Sequence, residues 1–371
     1  MLERKSSSVP GKVIVTGGCG YIGSHTIVEL IAAGFEVVSI DSNVRSDPSI
    51  LRGVERLTGE RVPNYPVDLR DSFAADEVFS AHRDAGAVIH FAAFKTVPES
   101  VAFPERYFQN NLGSLLSVLR AVEQYRIPRL IFSSSCSVYG SPERLPVTEE
   151  TAFGEAQSPY ARTKQIGEMM LRDCAGSSPT RFVSLRYFNP AGAHPSLEIG
   201  EVPFGRPENL VPAITQNALG LLPELVVRGT DYPTRDGSCV RDYIHVSDIA
   251  RAHVQALEYL DRSVAWHEVF NLGLGDGVTV LELLQAFEQA TGVKLRFRLG
   301  PRRPGDVSAV YAGRDKAKRL LGWQPRFSIE DVMRTAWNWE LKRMHSETNL
   351  VRAGKQGDMR VAQVTPAFQE T

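Results

Sequence analysis

Short apolar, β-branched runs alternate with longer helical patterns through the first half of the chain. Val13-Ile14-Val15 reads as a buried strand. It ends at Gly17-Gly18-Cys19-Gly20-Tyr21-Ile22-Gly23, a glycine-rich turn that opens a helical pattern running to Ala33. Gly34 stops that helix, and Glu36-Val37-Val38-Ser39-Ile40 predicts a second strand ending at Asp41. A strand, a helix and a strand in this order form a βαβ unit, whose crossover demands a parallel sheet. Apolar runs recur at Ala87–Phe91, Leu130–Phe132 and Phe182–Leu185, spaced by helical stretches. The alternation predicts an α/β chain built on a doubly wound parallel sheet of the Rossmann type.

After Asn189 the pattern breaks. Pro190–Arg206 is rich in proline and glycine and reads as irregular chain. Helical patterns return at Leu210–Leu221, Leu281–Thr291 (closed by Gly292) and Ile329–Lys342, with a strand-like run at Leu225–Val227. The expected layout is a Rossmann domain over residues 11–189 with a return segment at about 237–262. A smaller mixed α/β substrate domain, from 190–236 and 263–345, lies over the carboxyl edge of the sheet, and 346–371 is expected to be a flexible tail.

The 371 residues are ample for two domains. Lys+Arg total 42 against 43 Asp+Glu, and this balance speaks against a nucleic-acid binder. No apolar run approaches the ~18–20 residues that a membrane span needs, and the first residues lack a signal peptide's apolar core. Cys19, Cys136, Cys174 and Cys239 are scattered, without Cys-x-x-Cys or zinc spacing. Reduced thiols in a cytoplasmic protein without a metal are therefore expected.

Gly17, Gly20 and Gly23 lie in a G-x-x-G-x-x-G pattern between a strand and a helix. Such glycines allow a positive φ, close approach of backbone to a pyrophosphate, and tight helix–strand packing. The helix N-terminus then offers free N–H groups to the anion. Asp41, 24 residues after Gly17 and at the end of the second strand, is placed to grip ribose hydroxyls. A carboxylate there repels a 2′-phosphate, so NAD is favoured over NADP, with Arg45 nearby as the counter-indication.

Ser158 and Pro159 fit an N-cap and first helical position, which sets Tyr160 and Lys164 one turn apart on a single helix face. Taken alone, such a pair is usually solvated surface. A tyrosine acting as a base near pH 7 needs its pKa of ~10 lowered by ~3 units, about 4 kcal/mol. A neighbouring ammonium and an oxidised nicotinamide are the kind of charges that do this. Ser133-Ser134-Ser135 follows the Leu130–Phe132 strand at the carboxyl edge, where ligands of such sheets bind.

Thr16–Gly23, Ser133–Ser135 and Tyr160…Lys164 resemble the extended short-chain dehydrogenase/reductase family, from about Lys12 to Trp339. Within it, Tyr21–Thr26, Leu185–Pro190, Gly192–Pro195, Asp231–Thr234 and Val240–Val246 are similar to members that invert C4 of UDP-sugars. The resemblance implies an NAD-dependent isomerase acting on UDP-glucose and UDP-galactose, with NAD tightly bound and regenerated in each turnover. Tyr160 would take the proton of the sugar 4-hydroxyl while the C4 hydride moves to NAD. Ser135 would bond that oxygen, and Lys164 would hold the nicotinamide ribose and lower the tyrosine pKa. The 4-keto sugar would turn over and take the hydride back on its opposite face.

By the same resemblance NAD is held by Gly17, Gly20, Tyr21, Ile22, Gly23, Asp41, Ser42, Asn43, Val44, Arg45, Ser46, Asp68, Leu69, Phe91, Ala92, Ala93, Phe94, Lys95, Asn110, Ser133 and Phe188, with Tyr160 and Lys164. Asp68-Leu69 would lie by the adenine and Lys95 near the diphosphate. The nucleotide sugar would meet Ser135, Asn189, Asn209, Leu210, Arg228, Arg241, Arg303, Asp306 and Val310. Arg241 and Arg303 also suit a diphosphate on chemical grounds, because a guanidinium fork matches phosphate geometry. Arg228 stands where relatives tend to carry an aromatic or apolar residue by the uracil. Val310 stands where some carry a bulky aromatic, and its small side chain leaves room for an N-acetyl group. A 4-epimerase of another UDP-sugar (N-acetylhexosamine, pentose or uronate) therefore stays open. A 4,6-dehydratase would need an Asp-Glu pair where Cys136-Ser137 stand. The resemblance also implies a homodimer, in which helices at about Pro104–Gln124 and Tyr160–Cys174 of two subunits pack into a four-helix bundle.

Overall fold

The computed structural model describes residues 11–303 and 306–361, the last part (346–361) as backbone only. In chain order the first half runs β1 (Lys12–Thr16), α1 (Tyr21–Ala32), β2 (Glu36–Ile40), α2 (Ile50–Thr58), β3 (Asn64–Tyr65), α3 (Ser72–Ala81) and β4 (Ala87–His90). It continues with α4 (Val97–Ala102), α5 (Pro104–Gln124), β5 (Arg129–Ser135), α6 (Pro159–Cys174) and β6 (Arg181–Tyr187). Then follow β7 (Asn189–Ala191), α7 (Leu210–Ala218), β8 (Leu225–Arg228), β9 (Val240–Arg241), β10 (Tyr243–His245) and α8 (Val246–Arg262). The chain closes with β11 (His267–Leu272), β12 (Val278–Thr279), α9 (Val280–Thr291), β13 (Phe297–Gly300) and α10 (Ile329–Val361).

Seven strands form one parallel sheet in the order β11-β6-β5-β4-β1-β2-β3. Its strands are continuous apolar runs because both faces are covered by helices. Val13, Val15, Ile89, Ile131 and Val183 point to one face, against Ile27 and Leu30 of α1 and Leu257 and Leu260 of α8. Ile14, Val88, Leu130 and Phe132 point to the other, against Val78 of α3, Leu115 and Val118 of α5 and Leu171 of α6. Strand order reverses between β1 and β4. The crevice beyond the carboxyl ends of these two strands is where such sheets bind their ligands. The doubly wound α/β fold read from the sequence is the one observed.

The smaller part is built on three two-stranded sheets, β10-β7, β12-β9 and β13-β8. Val211, Ile214, Leu225, Val227, Leu283, Phe287, Val332 and Met333 form its core. Several details differ from the sequence reading. Ser133–Ser135 are the last residues of β5 rather than a following loop, and β7 begins a stretch read as irregular. Three residues including a proline are too few to show a period. Strand β11 pairs in parallel with β6, so a piece of the 263–345 segment belongs to the large sheet. Helix α10 runs past Lys342 into the expected tail, whose residues 362–371 lie outside the described ones. Among the described residues no helix is long and apolar enough to cross a membrane.

Candidate active site

The turn between β1 and α1 is shaped by what a side chain would strike. Gly17 has φ +72°, and a Cβ on it would stand 2.8 Å from the backbone nitrogen of Ala92. A Cβ on Gly23 would lie 2.2 Å from the Gly17 carbonyl oxygen. Gly20 is the N-cap of α1; no side chain caps that end and no acid stands in its first turn. Its N–H groups and partial positive charge are thus left for an anion.

Asp41 closes the cradle from the end of β2. Its Oδ2 accepts from the Cys19 N–H (3.0 Å), and its Oδ1 accepts from the Asn43 N–H (3.0 Å) and Ser46 Oγ (2.7 Å). Arg45 is committed elsewhere: it forms a two-pronged pair with Glu99 and lies 3.8 Å from the Phe94 ring centroid. Arg45, then Tyr107, holds the Glu99 carboxyl below its ordinary range. The cation that could have welcomed a 2′-phosphate is occupied, which favours NAD. Val44 is exposed, and Ile22, in the first turn of α1, packs on the core.

Beyond β4, Phe91 rests against the His253 ring at 4.8 Å, and Ala92 abuts Gly17. Asp68 is paired with Arg70, which holds its carboxyl low, while the Leu69 side chain is buried in the sheet core. The Phe94 backbone is gripped at both ends by Asn111, whose Oδ1 accepts from its N–H (2.8 Å) and whose Nδ2 donates to its carbonyl (3.0 Å). Asn111 also donates to Thr163 Oγ1 on α6 (3.1 Å), and Asn110 donates to Asn111. The sequence reading passed over Asn111. A buried amide on the inner side of α5 is the signal that could have found it.

Helix α6 starts as its sequence predicts: Ser158 Oγ accepts from the Ala161 N–H and Pro159 takes the first position. The Lys164 ammonium donates to the Ser133 carbonyl (2.6 Å) and stands 5.0 Å from the Phe132 ring centroid and 5.8 Å from that of Tyr160. Ser135 Oγ accepts from the Ser137 N–H (3.2 Å) at the turn after β5 and lies close enough to Tyr160 to influence its ionisation. Burial pushes Tyr160 up to about 12, with Ser135 acting the other way. Burial pulls Lys164 down to about 8, opposed by Glu168. Tyr160, Lys164, Ser133 and Ser135 are thus brought together, but by themselves they leave the phenol protonated at pH 7.

On the other side of the cleft, Arg241 donates to the Val240 and Val307 carbonyls (2.9 and 2.7 Å) and stands 3.6 Å from Asp306. Arg303 donates to the same carboxylate at 2.8 Å. Asn189 Oδ1 is buried without a hydrogen-bond partner, a group whose burial is costly unless a ligand satisfies it. Val310, 7 % exposed, shares an apolar cluster with Phe188, Val138, Tyr139 and Val147, and Cys136 packs on it. Asn209, just before Leu210 opens α7, donates to Glu201 (2.8 Å), which also pairs with Lys95 (3.2 Å). Arg228 is exposed at the end of β8 opposite Gly300. Glu201, like Asn111, was not found from the sequence.

A doubly wound sheet with a glycine-lined anion cradle and a Tyr/Lys/Ser cluster defines an NAD-using enzyme. Residues 13–273 match the NAD dependent epimerase/dehydratase family, and the chain belongs to it. It is 46% identical over 329 residues to UDP-glucose 4-epimerase of Bacillus subtilis, covering 88% of this chain and 96% of that one. It is 47% identical over 331 residues to UDP-glucose 4-epimerase 2 of Arabidopsis thaliana (88% and 94% covered). The crystal structure of UDP-glucose-4-epimerase from Stenotrophomonas maltophila, with bound NAD and formylated UDP-arabinopyranose, matches with a TM-score of 0.87 at 45% identity, over 90% of this chain and 99% of that one. The Bifidobacterium longum UDP-glucose 4-epimerase in complex with NAD+ and UDP matches with a TM-score of 0.85 at 44% identity (89% and 98% covered).

Proposed function

We propose that the chain is an NAD-dependent UDP-glucose 4-epimerase, interconverting UDP-glucose and UDP-galactose through a transient 4-keto sugar. The observation that carries this is the cluster of Tyr160, Lys164 and Ser135 beside the glycine cradle, in a chain 46% identical to a curated UDP-glucose 4-epimerase.

The residues fit NAD: the uncapped start of α1, the glycines that clear its approach, and a pre-set Asp41 carboxylate for ribose hydroxyls. NAD, when bound, would supply a hydride acceptor for C4 and a second positive charge near the Tyr160 phenol, beside that of Lys164. Tyr160 then takes the proton of the 4-hydroxyl and returns it when C4 is reduced, as general base and general acid in turn. Ser135 fixes the oxygen that loses and regains this proton. Lys164, held by the Ser133 carbonyl, keeps a positive charge beside the phenol. Arg241 and Arg303, gathered at Asp306, take the diphosphate. Anchoring by UDP leaves the sugar few fixed contacts, so it can turn between the two hydride transfers.

The large sheet is the NAD half and the smaller sheets are the sugar half. Leu116 on α5 (57 % exposed) and Met169 on α6 (39 %) offer apolar surface on adjacent helices, which supports a homodimer through these helices. Four unpaired thiols suit a cytoplasmic enzyme, and the activity joins the UDP-glucose and UDP-galactose pools of galactose metabolism.

The test is UDP-galactose with purified protein and no added NAD, assayed for UDP-glucose, with UDP-N-acetylgalactosamine in parallel to read breadth at Val310. Conversion without added cofactor is expected. No conversion of UDP-galactose even after NAD is supplied would overturn the reading.

A further inference from the structure

Glu201 touches both halves of the cleft. Its loop is fixed from behind: Trp339 Nε1 of α10 donates to the Glu201 carbonyl (2.8 Å). Gly200 lies flat on the same indole, where a Cβ would stand 2.6 Å from the ring. Glu198, two residues earlier, is tied to Lys342 of α10 (2.7 Å) and to Arg56 of α2 (2.5 Å). The Glu201 side chain is only 11 % exposed, so its carboxylate is set before any ligand arrives.

One oxygen of that carboxylate takes two donors. Oε1 accepts from Asn209 Nδ2 at 2.8 Å and from Lys95 Nζ at 3.2 Å. Lys95 belongs to the loop after β4, three residues beyond the Ala92 nitrogen that faces Gly17 in the cradle. Asn209 stands at the N-cap of α7 in the sugar half, yet its side chain does not cap that helix. An asparagine there ordinarily serves the helix; this one serves Glu201. Tyr21, in the first turn of α1, is also close enough for the Glu201 charge to help burial keep its phenol protonated. A bare carboxylate beside two diphosphates would repel both. Lys95 cancels its charge, so what Glu201 contributes is direction.

We propose that Glu201 is a positioning residue for both ligands: it aims the Asn209 amide at the nucleotide diphosphate and draws Lys95 across the cleft, so that nucleotide affinity and NAD retention depend on one carboxylate. The inference rests on the assignment of NAD and a UDP-sugar to these two halves.

The test uses the full chain as purified and reads UDP binding by titration calorimetry and bound NAD after gel filtration, neither of which needs turnover. Glu201→Ala weakens UDP about tenfold and sheds NAD that the parent retains, with a parental melting temperature. Glu201→Gln keeps an oxygen that accepts from Asn209, and so recovers UDP affinity to within about threefold while NAD retention stays low for want of the charge facing Lys95. Asn209→Ala combined with Glu201→Ala binds UDP no more weakly than Asn209→Ala alone. Where activity is present, the Glu201→Ala loss falls on KM and spares kcat. Parental UDP affinity and NAD retention in Glu201→Ala, or additive losses in the double variant, overturn the proposal. An inactive parent would strike the epimerase reading and leave this test standing.

Discussion

A phenol held near 12 is a poor base, and Tyr160 shows why the site needs a second positive charge. The 5-unit gap to pH 7 amounts to about 7 kcal/mol, more than one ammonium 5.8 Å from the ring centroid supplies in a partly solvated cleft. Removing the phenol oxygen should therefore abolish proton transfer without disturbing the cradle. Tyr160→Phe is expected to copurify with NAD and to lose about 10³-fold or more in kcat, measured by UDP-galactose conversion. Undiminished turnover would falsify the assignment of the base. The glycines make the complementary case. A Cβ at Gly23 meets a backbone carbonyl that cannot swing aside, so Gly23→Ala should lose bound NAD and about 1–3 kcal/mol of stability. The absorbance of copurified NAD and a thermal melt check both; full NAD content would contradict the packing argument.

At the level of elements, α6 does more than carry the proposed base. Tyr160, Lys164 and Glu168 recur every fourth residue on its inner face, and the last of them is fully buried. Glu168 forms a two-pronged pair with Arg186 of β6 (2.9 and 2.7 Å) and accepts from Ser134 of β5 (2.5 Å). Arg186 in turn donates to Tyr139, whose hydroxyl donates to Asn271 of β11. The network locks α6 to three strands. Removing one partner strands the other as a buried charge, so Glu168→Leu should cost about 3–5 kcal/mol, and Glu168→Leu with Arg186→Met should recover most of it. Urea unfolding reads both, and a double variant as unstable as the single would refute the stranded-charge account.

The same network marks the limit of what was legible in the chain. Strands β1, β2 and β4, the Ser158 cap of α6 and the glycine turn are local patterns, and their sequence reading matches the structure closely. Asn111, Glu168 and Glu201 draw much of their meaning from distant partners, as in Phe94 with Asn111 (17 residues apart) and Lys95 with Glu201 (106 apart), and no periodicity records such pairs. Strand β11 escaped assignment to the large sheet for the same reason, since only its pairing with β6 places it there.

At the scale of the whole molecule, five of the eight histidines are held neutral by burial, and that predicts the response to acid. Burial pulls His25 and His90 down to about 3, and His245, His253 and His267 down to about 4, from an ordinary value near 6.5. Their ring nitrogens meet the Tyr21 carbonyl (His25, 2.7 Å), Thr16 Oγ1 (His90, 2.8 Å) and the Tyr187 hydroxyl (His253, 2.7 Å), and for His25 the carbonyl opposes part of the effect of burial. Because the folded values lie below the unfolded ones, the unfolded chain binds more protons between pH 6.5 and about 4. Stability therefore falls as pH falls through that window, by up to about 1.4 kcal/mol per pH unit for each histidine. Burial raises Glu29, Glu149, Asp242 and Asp248, and their protonation offsets part of the loss. The melting temperature should drop steadily from pH 7 to pH 5, with net proton uptake on unfolding when buffers of different ionisation enthalpy are compared. A melting temperature flat across that range would mean that these rings are already charged in the fold. His25, His90 and His253 lie on α1, at the end of β4 and against Phe91, around the cradle itself, so the same acid step should release NAD in parallel with the loss of stability.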